Sequence, residues 1–194
     1  MKEFLIKDIQ KIGLFIDNRG NLYGEKYKEY LNTKTGVWQH PEELAEFCLF
    51  LDGYDINSFL NIGTFNGLTF NFISSYLNKN KEVSCITIDP INHNPIKDSR
   101  FTYLDVTSQT FKGQKFDLVF IDGDHDYDFI KQDYLNVGQC AKLCALHDIR
   151  DEYCEKLNGG PMRLWKEIKD DTSLEFFSED KPRPYTMGIG VKIN

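Results

Sequence analysis

Acidic residues and a histidine are concentrated in one short stretch of the chain, residues 121–133, whose sequence is IDGDHDYDFIKQD. Three carboxylates and the imidazole fall within a single turn, and they belong to Asp122, Asp124, His125 and Asp126. Like charges this close together repel each other, and a sequence selected for stability alone avoids them. The stretch therefore indicates a functional site. Asp128 and Asp133 are expected only to decorate the helix that follows.

A second polar pair, His147 and Asp148, follows the next predicted strand. A single histidine after a strand is more often structural than catalytic, but this one lies one strand away from the acidic cluster. The carboxylates of Asp122 and Asp148 can converge on one point, where a divalent cation would relieve their repulsion. In the alternative interpretation, His147 and Asp148 only form hydrogen bonds with the surrounding loops.

Three features after the earlier strands are typical of nucleotide binding. The turn Asn61–Gly67 contains two glycines, which permit a tight turn and close approach of a ligand to backbone N–H groups. Asp89 follows the next strand and can accept hydrogen bonds from both hydroxyls of a ribose. Asp105 follows the third strand and could accept a hydrogen bond from an adenine amino group. Each aspartate is also compatible with a simple turn or capping role.

The elements that would position these residues alternate between helix and strand, with a first helix opened by His40-Pro41-Glu42-Glu43. The pattern predicts strands at 58–62, 83–88, 101–104, 117–121 and 142–146, helices at 68–77, around 130–137 and at 161–169, and late strands near 173–177 and 187–193. Such alternation predicts a doubly wound, mostly parallel sheet that binds ligands beyond the carboxyl ends of its strands.

Residues 1–36 are polar and rich in tyrosine and lysine, and we interpret them as an N-terminal extension before a domain spanning residues 37–194. The extension is expected to fold over the substrate end of the sheet or to form a subunit contact in a homo-oligomer.

Composition narrows the classes of partner. The 194 residues are 41% hydrophobic, which suits one globular domain, and the net charge of −7 comes without a lysine or arginine cluster. We therefore do not expect nucleic acid as the main partner. We expect a small-molecule substrate instead. We expect a cytoplasmic protein that does not enter the membrane, because no apolar run resembles a signal peptide or a membrane span.

The chain has five cysteines, an odd number, and their spacing is not that of a disulfide scaffold, which favours a reducing compartment. Zinc binding by Cys140, Cys144, His147 and Cys154 matches no common pattern.

Four successive segments, NIGTFNG, ITIDP, FDLVFIDGDHDYDFIKQD and ALHDI, resemble the motifs of class I S-adenosylmethionine-dependent methyltransferases. The branch that they resemble includes macrocin-type sugar O-methyltransferases and cephalosporin-hydroxylase-like proteins, and the resemblance covers residues 38–194. It implies a Rossmann-like α/β fold with a seven-stranded sheet and an antiparallel last strand, which suits the terminal MGIGVKI. The implied function is O-methylation of a small hydroxylated molecule, such as a sugar or a glycosylated metabolite.

The resemblance also assigns roles to individual residues. Asp122 would face the sulfonium or a metal, and it would bind a divalent ion such as Mg²⁺ together with His147 and Asp148. Apart from the resemblance, an aliphatic hydroxyl needs a base, and His125 is the first choice for it, with Asp122 as the second. The residues implied in binding S-adenosylmethionine are Gly63, Phe65, Gly67, Asp89, Asp105 and Asp122.

Two departures from the family pattern leave alternatives open. Asn61 stands where the family usually has an acid, which weakens the indirect contact expected with the methionine amine, and the chain could be a non-catalytic cofactor- or partner-binding domain. His147 makes the metal pair His–Asp, which tolerates softer metals than Mg²⁺. A nicotinamide oxidoreductase is a third hypothesis, but the spacing of the glycines and the last strand argue against it.

Overall fold

The computed structural model describes residues 1–150, 159–178 and 187–194. Its helices are α1 (Lys2–Ile12), α2 (Pro41–Leu51), α3 (Leu68–Leu77), α4 (Tyr127–Asn136) and α5 (Gly160–Ile168). Its strands are β1 (Leu14–Phe15), β2 (Leu31–Asn32), β3 (Ser58–Ile62), β4 (Ser84–Ile88), β5 (Thr102–Leu104), β6 (Leu118–Ile121), β7 (Leu143–His147), β8 (Leu174–Phe176) and β9 (Ile189–Ile193). Short 3₁₀ turns occupy Glu25–Tyr30, Ser108–Phe111 and Gly138–Cys140.

Seven of the strands form one sheet, in the order β5-β4-β3-β6-β7-β9-β8. The first five are parallel, and β9 lies antiparallel between β7 and β8. Ile62 pairs with both Ile88 and Ile121, and Ile121 pairs with Leu146. Because the central strands end level with one another, the residues that follow them emerge at one edge of the sheet.

Both faces of the sheet are covered, as expected for a doubly wound fold. Alternate residues of the central strands enter different hydrophobic clusters: Phe120 packs with α2 and α3 on one side, whereas Val119 packs with α4 and α5 on the other. All four residues of β6 are buried. The predicted fold class, a Rossmann-like α/β sheet with an antiparallel last strand, is confirmed.

The start of α2 follows the predicted signal. Pro41 occupies the first turn, and the His40 side chain accepts a hydrogen bond from the Glu42 N–H at 3.4 Å, so the histidine caps the helix. The predicted strands and helices from residue 41 onwards lie within about two residues of the observed ones, except that α4 begins at Tyr127, three residues before the predicted start.

The N-terminal segment contains structure that the sequence analysis did not predict. Helix α1 packs against α2, and β1 pairs in parallel with β2. Leu14, Tyr23 and Val37 are fully buried in the same hydrophobic cluster as α2. The boundary at residue 36 stays a prediction, as does a subunit contact formed by this segment.

Cys48, Cys85, Cys140 and Cys144 are free thiols, whereas Cys154 lies outside the described residues. No helix among the described residues is long and apolar enough to cross a bilayer.

A buried carboxylate joins α2 to the last two strands of the sheet. Glu43 is 1% exposed, and its carboxylate accepts hydrogen bonds from the N–H groups of Ser178 at 3.0 Å and Gly188 at 3.1 Å. Ser178 follows β8 and Gly188 precedes β9, so one side chain satisfies two buried backbone donors.

Glu43→Gln is expected to lower the free energy of unfolding by about 1–3 kcal/mol, because one of these N–H groups would face an amide NH₂ instead of an acceptor. Chemical denaturation measures the change. Glu46→Gln, on the same helix but half-exposed beside Lys2, is the control and should cost less than about 1 kcal/mol. Equal losses of unfolding free energy in the two variants would contradict the role assigned to the Glu43 carboxylate.

Candidate active site

A cavity of about 560 Å³ opens at the carboxyl edge of the sheet. The turns after β3, β4, β5, β6 and β7 all contribute to its wall, as do Arg19 and Leu22 of the N-terminal segment and Trp38 and Gln39 just before α2. The predicted site residues that line the cavity are Gly63, Phe65, Asp89, Asp122, His125, His147 and Asp148. Gly67 and Asp105 do not line it.

The turn after β3 approaches the end of β6 so closely that only glycine fits at position 63. Gly63 has φ +94°, and a Cβ atom there would lie 2.0 Å from the backbone oxygen of Asp122. The Gly63 N–H donates to Ile88 O at 2.9 Å, and the Asp122 N–H donates to Ile62 O at 2.9 Å. The glycine therefore serves the packing of two adjacent strand ends, and this packing brings the turn and the acidic cluster together.

The side chain of Asn61 fixes this turn through hydrogen bonds. Its side-chain amide donates to Gly63 O at 2.8 Å and to Thr87 Oγ1 at 2.9 Å, and Thr87 Oγ1 lies 2.8 Å from Thr64 Oγ1. A carboxylate at position 61 could not donate to the Gly63 carbonyl. The departure from the family pattern therefore has a structural reason and gives no support to a non-catalytic domain.

Asp89 is tied to the same turn. Its Oδ2 accepts from the N–H groups of Thr64 at 3.0 Å and Phe65 at 3.3 Å, and its Oδ1 accepts from Ile91 N–H at 2.9 Å. An ionised carboxyl has about four acceptor positions, so some capacity for ligand hydroxyls remains.

Phe65 adopts φ +43°, which is uncommon for a residue with a side chain, and such positions cluster at functional sites. Its ring lies against Phe15 and Trp38, with centroid distances of 5.1 and 5.2 Å. The turn and the N-terminal segment are thus joined by aromatic packing beside the cavity.

The polar residues after β6 and β7 meet in a chain of contacts. His147 Nδ1 lies 3.1 Å from Asp122 Oδ1 and 3.4 Å from Asp148 Oδ2, and His125 Nε2 lies 3.1 Å from Asp148 Oδ2. The convergence of Asp122 and Asp148 that the sequence predicted is therefore present. Asp148 has φ +57°, a second strained position in the site.

Gln39 is a member of this chain that the sequence analysis missed. It is 1% exposed, its Nε2 donates to Asp122 Oδ2 at 2.5 Å, and its Oε1 accepts from Thr69. Gln39 precedes Asp122 by 83 positions, and no motif marks it.

Charge in the cluster is balanced within the protein. Burial by itself lowers the pKa of His147, but the neighbouring Asp148 and Asp122 outweigh burial and raise that pKa well above 6.5. The pKa of His125 is also raised, since its hydrogen bond to Asp148 and the charges of the two aspartates exceed the effect of burial. Burial favours the neutral form of Asp148, yet His147 and His125 hold its pKa far below the usual range. A protonated His147 thus lies between the two carboxylates and reduces their repulsion.

The donor atoms also fit a divalent ion. Within the described part of the chain, Asp122, His125 and Asp148 each offer one ligand atom, and these atoms lie within 4.8 Å of one another. Two carboxylates and an imidazole suit a metal that tolerates nitrogen ligands. His147, which the sequence placed in this set, instead directs Nδ1 at both carboxylates, and its buried Nε2 has no hydrogen-bond partner among the described residues.

The remaining residues singled out from the sequence either lie outside the cavity or have a different position from the one predicted. Gly67 is the N-cap of α3 with φ +82°, and Asp105 is exposed and accepts a hydrogen bond from Asn92 at 3.2 Å. Asp128 is exposed on α4 as expected. The expectation that Asp133 only decorates this helix is wrong, because Asp133 lines the cavity.

The part of the chain that contains the site is similar to a known protein family. Residues 60–143 match a family model described as a methyltransferase domain, and this range contains the glycine turn, Asp89 and the cluster after β6. No curated protein matches the chain.

Solved methyltransferase structures have a similar fold at low sequence identity. The O-methyltransferase from Bacillus cereus, in complex with S-adenosylhomocysteine, is 12% identical, with a TM-score of 0.59 and coverage of 100% of both chains. TomG from Streptomyces achromogenes, an O-methyltransferase in complex with S-adenosylmethionine, is also 12% identical, with a TM-score of 0.54 over 81% of this chain and 82% of TomG. The S-adenosylmethionine-dependent O-methyltransferase TM0748 from Thermotoga maritima is 10% identical, with a TM-score of 0.55 over 84% of this chain and 69% of the other. At these identities the similarity is one of fold.

The fold is therefore that of class I S-adenosylmethionine-dependent methyltransferases, and residues 60–143 match a methyltransferase domain. The recognition made from the sequence motifs is therefore confirmed.

Asn61→Asp, which restores the residue usual in the family, is expected to destabilise the protein rather than improve it. The new carboxylate would face the Gly63 carbonyl and lose two donated hydrogen bonds, so the free energy of unfolding should fall by about 1–3 kcal/mol at pH 7.5. Chemical denaturation measures the free energy of unfolding, and calorimetric titration with S-adenosylhomocysteine measures the affinity for the cofactor. Asn80→Asp adds the same charge at an exposed position and is the control. Tighter binding with unchanged stability would show that Asn61 weakens the cofactor site.

Proposed function

We propose that this protein is an S-adenosylmethionine-dependent O-methyltransferase that acts on a small hydroxylated molecule, such as a sugar or a glycosylated metabolite. The observation that carries the proposal is the His125–Asp148 pair, 3.1 Å apart, in the same cavity as the glycine turn and Asp89. The residues proposed as the base and as the cofactor site thus share one space. The sugar-like acceptor follows from the family resemblance alone.

In this proposal the cofactor lies across the carboxyl edge of the sheet. Its methionine part would lie against Gly63 and Phe65 and face Asp122, and its ribose hydroxyls would bind the free acceptor positions of Asp89. Gly67 would contribute indirectly, by starting α3 in the required left-handed conformation. Two of the structurally similar proteins were solved with S-adenosylmethionine or S-adenosylhomocysteine bound, which supports this choice of cofactor.

Methyl transfer to a hydroxyl needs an aligned acceptor and a group that takes the acceptor's proton. His125 Nε2 faces Asp148, so neutral His125 with its proton on Nε2 would use Nδ1 to accept the proton of the hydroxyl. Asp148 would hold the ring in this orientation and stabilise the imidazolium that forms. Asp122, held by Gln39 and His147, would keep a negative charge close to the positive sulfonium.

A divalent ion remains part of the proposal. Asp122 and Asp148 would hold it with one histidine, His125 on the observed distances or His147 on the sequence-based prediction. Such an ion would lower the pKa of the acceptor hydroxyl.

His125→Ala is expected to lower kcat for methyl transfer by about 100-fold or more, because it removes the base, while affinity for S-adenosylhomocysteine stays within about 2-fold. The assay follows methyl transfer from S-adenosylmethionine to a panel of hydroxylated sugars and glycosides. Asp148→Asn, which keeps the shape but not the charge that stabilises the imidazolium, should also lower kcat. Retained activity in both variants would exclude His125 as the base.

The same assay after exhaustive chelation, with and without added Mg²⁺ or Mn²⁺, tests the metal. Activity that is lost and then restored by the ion supports a metal at Asp122 and Asp148, whereas full activity without metal excludes it. Cofactor binding without turnover on any hydroxylated acceptor would favour the non-catalytic alternative.

A further inference from the structure

Asp122 faces the cavity with a carboxylate whose two oxygens are both engaged by the protein. His147 Nδ1 lies 3.1 Å from Oδ1, and the side-chain amide of Gln39 donates to Oδ2 at 2.5 Å. The side chain of Asp122 is nevertheless 19% exposed, because it lines the cavity. Its negative charge is therefore held in one orientation and can still act on a bound ligand.

The orientation of the Gln39 amide decides whether its contact with Asp122 attracts or repels. An ionised carboxylate only accepts hydrogen bonds, so the NH₂ group of Gln39 must face Asp122 and the amide oxygen must face away from it. In a flipped amide, Oε1 would lie against Oδ2 of Asp122, and the two acceptors would repel each other. The position of the Asp122 carboxylate therefore depends on what holds the other end of the amide.

Thr69 of α3 holds that end. Its hydroxyl donates to Gln39 Oε1, and the side chain of Gln39 makes no further hydrogen bond among the described residues. Gln39 is 1% exposed, so without Thr69 its amide oxygen would be buried and unpaired. Such an amide would rotate towards another donor and release Asp122.

These three residues link the turn after β3 to the end of β6. Thr69 lies in the first turn of α3, which begins directly after the glycine turn, and Gln39 lies just before α2. The segment that contains Gln39 is also tied to the glycine turn, because Asn66 Nδ2 donates to Gly36 O at 2.7 Å. The elements that would carry the methionine part of the cofactor thus also fix the carboxylate of Asp122.

We propose that Thr69 and Gln39 are positioning residues that set the preference of the site for the charged cofactor over its product. This inference rests on the proposed function, because it places S-adenosylmethionine in the cavity with its sulfonium at Asp122. The sulfur of S-adenosylmethionine carries a positive charge, whereas that of S-adenosylhomocysteine is a neutral thioether. A carboxylate held beside this atom in a partly buried site attracts only the charged form. The chain Thr69–Gln39–Asp122 would therefore favour the exchange of product for fresh cofactor.

Calorimetric titration with S-adenosylmethionine and with S-adenosylhomocysteine tests the inference, without any methyl acceptor and with a chelator present. The ratio of the two dissociation constants measures the preference of each protein. Thr69→Val keeps the shape of the side chain but removes the donor, so the preference for S-adenosylmethionine should fall about 5-fold or more, the effect of one hydrogen bond. Asp122→Asn removes the charge itself and should lower the preference at least as far. Thr69→Ser keeps the hydroxyl and should keep the wild-type preference.

The preference separates a positioning role of Thr69 from a purely structural one. It is a ratio within one protein, so neither a general loss of affinity nor a partly unfolded sample changes it. If Thr69→Val does not fold, Gln39→Met takes its place in the test. This variant has a side chain of similar length without the amide, and it should lose the preference in the same way.

A wild-type preference in Thr69→Val, or in Gln39→Met where that variant is used, would overturn the inference. An unchanged preference in Asp122→Asn would overturn it as well, because Asp122 would then exert no effect of charge for Thr69 to set. A wild type that binds neither ligand would instead overturn the proposed function.

Discussion

The close contact between the Gly63 turn and the backbone of Asp122 is the constraint on which the rest of the site depends. Only a residue without a Cβ atom lets the end of β3 pass so near the end of β6. This contact places the turn of one strand beside the carboxylate of its neighbour, and Asn61, Thr87 and Asp89 then fix the turn through hydrogen bonds. The cavity follows from strand ends that are level and from a turn that cannot move away.

A second constraint is the balance of charge at the ends of β6 and β7. Asp122 and Asp148 would repel each other if they were alone, and His147 lies between them with a raised pKa. Gln39 adds a neutral hydrogen bond to Asp122 from the N-terminal side of α2. The residues just before α2 therefore contribute to the site, because Gln39 holds one of the carboxylates at its centre.

The sequence predicted the fold well and the site in part. Continuous apolar runs such as Leu118–Ile121 and the Pro41 helix start are local signals, so the elements, the doubly wound class and the edge that carries the site could be inferred from them. Gln39 and Asp133 could not be found in this way. Gln39 reaches the site from a distant part of the chain without a motif, and Asp133 has the spacing of an ordinary residue on an exposed helix face.

The role of Asn61 could not be predicted from the sequence, because it depends on which group donates the hydrogen bond to the Gly63 carbonyl. An acid at this position would accept, whereas the Gly63 carbonyl needs a donor. Helix α1 was missed although Leu5, Ile9 and Ile12 recur at helical spacing, with Ile9 buried and Leu5 and Ile12 packed against the core, so the sequence carried a periodic signal that was not used.

Binding of the cofactor is the central claim, and calorimetric titration of the purified protein with S-adenosylhomocysteine and, separately, with NAD tests it most directly. The account predicts binding of one S-adenosylhomocysteine per chain, weakened in Asp89→Ala by about 1–3 kcal/mol through loss of charge-assisted hydrogen bonds, and no binding of NAD. Tight binding of NAD without any response to S-adenosylhomocysteine would contradict it.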